Sequence, residues 1–202
     1  MDEVRFPFDS APPQMPIEEK RIGFGKRLGA WLLDLIIVIL IAVIVNMLLA
    51  EQLQGLFQSI IDAKMAEIPQ NTGEMPDFAK SMIDYGVRFG ILLGGVGFLY
   101  SFLELFTGAS PAKMMLGIVV AHADARKGNI GVWAIRWAIK EISSICNFIG
   151  TMFIISSLET LGGILGFAFV IGCFFALSSK KQALHDIIAK TAVYDTDDVL
   201  NS

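Results

Sequence analysis

The chain is short of charge, histidine and cysteine. Only 18% of its 202 residues are charged, and it carries two histidines and two cysteines. So few charges leave a soluble domain of this length without enough polar surface, which excludes an ordinary water-soluble globule. His122 and His185 form no evident nucleophile–base pair, and no enzyme activity is expected. Cys146 and Cys173 both sit inside apolar runs, where they read as small buried hydrophobes. Neither a disulfide framework nor zinc-type spacing is present, so no metal or cofactor is expected. A net charge of -4 gives no basic surface for nucleic acid. Gly23-Phe24-Gly25-Lys26 lacks the spacing and the preceding strand of a phosphate loop.

What the chain has in abundance is apolar length: 54% hydrophobic residues and a mean hydropathy of +0.60. A run over 28–50 matches the roughly 20 residues needed to cross a bilayer, broken only by Asp34 and Asn46. Lys20, Arg21, Lys26 and Arg27 stand just before it and place the N-terminus in the cytoplasm by the positive-inside rule. A second span is expected over 85–106. The apolar stretch 142–177 is too long for one ordinary span, and Ser156, Ser157, Glu159 and Thr160 interrupt it. It reads as two helices, 132–157 and 160–177, with a single long kinked helix as the competing reading. Lys180 and Lys181 favour an even number of crossings. The fold expected is therefore an all-α transmembrane bundle of about four spans, multi-pass in a bacterial inner or plasma membrane, with both termini cytoplasmic.

Between the spans the pattern changes. Residues 1–22 carry four prolines and little to bury, and read as a disordered tail rather than a signal peptide; 195–202 form a second tail. In the outer loop, 51–85, Leu53, Leu56, Phe57, Ile60, Ile61 and Met65 recur at helical spacing. That amphipathic helix either rests on the membrane or caps the bundle. A strand and turn are expected within 114–128, and 191–194 is a candidate strand to pair with 117–120. Trp133 and Trp137, beside Arg136 and Lys140, suit the headgroup level. Gly86, Gly90 and Gly94 form a stripe on one helix face, open to close helix packing or to a second copy; Gly162 and Gly166 repeat that spacing later. The expected partners are the lipid bilayer and either a homo-oligomer or another membrane protein.

Ionisable groups at apolar positions cost roughly 2.5–3.5 kcal/mol each at mid-membrane and need a reason. With four crossings, Arg27, Asp34, Glu104, Arg136 and Asp186 gather at the cytoplasmic side. They form either an ion-paired clamp, with Asp34 and Asp186 satisfied by Arg27 and Arg136, or an ion-exchange site.

Three segments resemble the RDD family: Gly25-Lys26-Arg27-Leu28-Gly29-Ala30-Trp31-Leu32-Leu33-Asp34, Thr107-Gly108-Ala109-Ser110-Pro111-Ala112-Lys113-Met114-Met115-Leu116-Gly117, and Ser179-Lys180-Lys181-Gln182-Ala183-Leu184-His185-Asp186. The resemblance assigns the name-giving arginine and aspartates to Arg27, Asp34 and Asp186, and it extends through Tyr194. Ala112 and Lys190 stand where the family usually has glycine. It implies an integral membrane protein for which small-solute or ion transport, including sodium–proton exchange, is the proposed activity. The alternative is a non-catalytic membrane subunit for assembly, anchoring or envelope sensing.

Overall fold

The computed structural model describes residues 16–66 and 76–200, apart from the side chains of Gln54 and Leu56. Four long helices dominate: α1 (Phe24–Ala66), α2 (Asp77–Thr107), α4 (Ile130–Phe153) and α5 (Ser156–Cys173). The short helices α3 (Pro111–Met115) and α6 (Leu184–Ile188) and the strands β1 (Ile118–His122) and β2 (Thr191–Asp195) gather at one end. This is a helical bundle with a two-stranded cap. Among the described residues, three helices are long and apolar enough to cross a membrane: Phe24–Leu53, Asp77–Thr107 and Ser156–Leu177.

Helix α4 carries Arg136, Lys140 and Glu141 and falls outside that set, yet it runs the full length of the bundle. Trp133 near its start packs on the sheet, while Met152 near its end packs on the tail of α1. It turns tightly at Ile154, in the left-handed region (φ 56°), and returns as α5. The pair is a helical hairpin, and the single-long-helix reading of 142–177 is set aside. Ser143 donates to the Gly162 carbonyl at 2.7 Å, and a Cβ on Gly162 or Gly166 would strike Asn147 or Ser143. These two glycines act as packing residues.

Gly86, Gly90 and Gly94 do not. A Cβ at each would meet nothing within 4 Å among the described residues, so the expected close packing of this stripe inside the chain is corrected. The stripe borders an open cleft instead. The amphipathic helix expected after the first span is also no separate element: α1 continues through a kink at Leu49 (φ -123°, ψ 21°) to Ala66. Its Phe57, Ile60 and Ile61 pack on Val87, Ile91 and Met152, which makes it a cap on the bundle.

The burial pattern divides the molecule. In the bundle, large apolar side chains such as Met47, Leu48, Phe153 and Phe167 point outward, as lipid-facing residues do. At the sheet end the order is that of a water-soluble core, with Tyr194, Ile118, Val120 and Val193 fully buried. Strands β1 and β2 pair antiparallel, Ile118 opposite Asp195 and Val120 opposite Val193. Residues 16–22, expected to belong to an unstructured tail, join this end: Ile22 donates to Val193 and Arg21 bridges to Tyr194. Residues 1–15 lie outside the described residues. Trp133 donates its indole N–H to the Val120 carbonyl at 2.9 Å, so it docks the sheet rather than marking the headgroup level. That indole leaves room only for glycine at Gly108, the left-handed C-cap of α2 (φ 70°), where a Cβ would approach within 2.4 Å.

Candidate functional site

Among the described residues, two larger polar assemblies stand out along the bundle, with a smaller hydrogen-bonded site at Asp34. The first is an ion-pair network at the sheet end. Asp186, fully buried, accepts from Arg136 Nε at 2.8 Å, from Arg27, and from the Ala183 N–H at 3.2 Å. Arg27 also donates to the carbonyls of Ile22 (3.0 Å) and Lys181 (2.7 Å). Glu104, equally buried, takes Lys113 at 2.6 Å, Lys140 at 2.5 Å and Arg136. Arg136 is thus the hinge between two carboxylates, and the network joins α1, α2, α3, α4 and α6.

Burial opposes ionisation of Asp186, but the charges of Arg136 and Arg27 outweigh it and hold the carboxyl well below the ordinary aspartate range. Burial, with Arg136 beside it, pushes His185 down to about 3, so the ring is neutral. Its Nε2 lies 3.2 Å from Arg136 and accepts in that tautomer, leaving the buried Nδ1 without a partner among the described residues. Lys113 is lowered to about 8, because burial and the neighbouring Arg136 and Lys140 outweigh the attraction of Glu104.

Asp34 lies apart from this network, which corrects the expectation that an arginine satisfies it. It accepts from Tyr100 Oη at 2.6 Å, Ser110 Oγ at 2.5 Å and the Ala112 N–H at 3.1 Å. Its one-helix distance from Arg27 is too long for direct contact, and the turn after α2 folds back to meet it. Asp34 pins that turn and the start of α3.

The second assembly is a cleft of about 610 Å³ between α2 and α4. One wall is the glycine stripe, Gly86, Gly90, Gly94 and Gly97; the other is Glu141, Ser144, Asn147 and Thr151 of α4. Spacings of three, three and four residues put these polar groups on one helix face. Lys64 lines the distal end, where it meets Glu159 at 2.6 Å. Glu141 sits near the midpoint of the 24-residue α4, about 17 Å from either end at 1.5 Å per residue.

The RDD family pattern matches residues 21–190. The chain belongs to the RDD family. No curated protein and no solved structure is a match. The structure therefore places the RDD residues of this membrane protein as follows: Arg27 and Asp186 form one ion pair, and Asp34 holds a separate hydrogen-bonded site. Glu104 and Arg136 join Arg27 and Asp186 as expected. Sequence reasoning missed Lys113, Lys140 and His185 as members; Lys140 is about one helical turn from Arg136 and His185 adjoins Asp186, whereas Lys113 reaches Glu104 from nine positions along the chain. It also missed Glu141, whose signal was legible: a polar residue every three or four positions through an otherwise apolar helix.

Proposed function

We propose that this RDD family protein transports a small solute or ion across a bacterial plasma membrane, and that the α2–α4 cleft is its working site. The observation that carries the reading is Glu141, a carboxylate near the middle of α4 that lines a cleft of about 610 Å³. Carriers commonly bind near the bilayer midplane, and ionisable groups there are functional by default. The Arg27, Asp186, Arg136 and Glu104 network fits a clamp better than an exchange site, since each carboxylate oxygen already holds a cation or an N–H. Four crossings follow if α4 spans with the other three helices. Lys20, Arg21, Lys26, Lys113, Arg126, Lys180 and Lys181 all belong to segments at the sheet end, which supports a cytoplasmic location for that end and both termini.

The test is ion-driven proton movement in proteoliposomes reported by a trapped pH dye. Flux in the wild type that is lost in a monodisperse Glu141→Gln protein supports the reading. Equal flux in the two proteins rejects it.

The unfilled glycine face favours a second reading, a non-catalytic subunit whose partner helix packs there. A cysteine at Gly94 that cross-links to a stoichiometric partner in membranes supports that alternative.

A further inference from the structure

Glu141 has no ion pair among the described residues, and Lys140 beside it is committed to Glu104 at 2.5 Å. Its polar neighbours are the hydroxyls of Ser144 and Ser101. A carboxylate at that depth gains most from a cation brought by a ligand.

The surroundings say what kind of cation. The cleft, at about 610 Å³, is far larger than a bare metal ion and falls in the range of small organic ligands. Most of its lining is apolar: Val87, Ile91, Leu93 and Met152, with the near-parallel rings of Phe98 and Phe148 at 6.4 Å. Phe98 also abuts Trp137, one turn before Glu141 on α4. Aromatic faces next to a carboxylate stabilise an organic cation through the ring quadrupole as well as the charge. The bare backbone at Gly90 and Gly94 leaves width for a hydrocarbon body, and Asn147 offers a second polar contact.

From these features we infer that the cleft binds a lipophilic organic ammonium, its nitrogen on Glu141 and its apolar body along the glycine wall. The inference rests on the cleft being the working site and names its ligand class.

The probes are 1-naphthylmethylamine and the neutral 1-naphthylmethanol, titrated at neutral pH into the full chain in lipid nanodiscs, with empty nanodiscs as reference. The wild type should bind the ammonium at least about tenfold more tightly than the alcohol, the scale of one charge-assisted contact. Glu141→Gln should erase the preference, Glu141→Asp should keep much of it, and Gly90→Leu should weaken both probes by filling the cleft. Equal binding of the two probes by the wild type, or a preference that survives in Glu141→Gln, overturns the inference. If Glu141→Gln does not fold, Glu141→Asp and Gly90→Leu still decide: a preference lost in Glu141→Asp or unchanged binding in Gly90→Leu counts against it. Glu141-dependent proton flux without ammonium preference would reject the ligand class alone. Ammonium binding without flux would reject transport alone.

Discussion

Individual residues carry most of the fold's specificity where charge is buried. Asp186 bridges two guanidinium groups at once. Asp186→Asn leaves Arg27 without its carboxylate and Arg136 with Glu104 alone, and breaking a buried pair this way costs about 3–5 kcal/mol. A fall in melting temperature or loss of monodisperse protein should follow. Asp34→Asn removes no ion pair and should cost less, about 1–3 kcal/mol for the disturbed hydrogen bonds. Lys113 predicts a pH effect. Its folded value of about 8 lies below the ordinary 10.5, so between these limits the unfolded chain binds more protons and this group's contribution to stability rises with pH. Unfolding followed from pH 8 to 10 should show that rise in the wild type and its loss in Lys113→Met. Lys190 holds a left-handed conformation (φ 54°), where the family usually has glycine. Lys190→Gly should therefore raise stability by about 1 kcal/mol in a melting experiment.

At the scale of elements, the difference between two sets of glycines is the sharpest lesson. Both repeat at four-residue spacing, so sequence spacing alone could not tell a packed stripe from an open one. Gly162 and Gly166 receive Asn147 and Ser143, whereas Gly86, Gly90 and Gly94 face the cleft. Gly162→Leu should abolish the α4–α5 hairpin and prevent purification of folded protein, while Gly90→Leu should give a folded protein of normal size-exclusion profile. The helices themselves were legible because lipid demands long apolar runs, and that demand does not depend on tertiary context. The strand pairing was only half legible: 117–120 and 191–194 were candidates, but the contributions of Arg21 and Ile22 arise from contacts across more than 170 positions of chain. The kink at Leu49 left no turn residue in the sequence to announce it.

Across the whole molecule, the two polar assemblies differ in position and in how their charges are paired. The network at the sheet end is closed and paired, and it ties five helices to a small core of soluble-protein character. The cleft lies farther from the sheet, is open, and is lined by Glu141, which has no ion pair among the described residues. The five charged residues picked out in the sequence located the first assembly, apart from Asp34, because charge in an apolar run is conspicuous. The second left a trace in the spacing of Glu141, Ser144, Asn147 and Thr151, but Glu141 follows Lys140 directly and reads as part of a solvated edge until the course of α4 separates the two side chains. Ser144 lines the cleft and Ala112 is buried beside Asp34, so cysteines at these sites report the two environments separately. With Cys146 and Cys173 replaced by alanine, Ser144→Cys in intact membranes should react with a membrane-impermeant thiol reagent, while Ala112→Cys should not. Labelling of Ser144→Cys by a lipid-soluble maleimide alone would show a dry, lipid-filled groove and contradict the account.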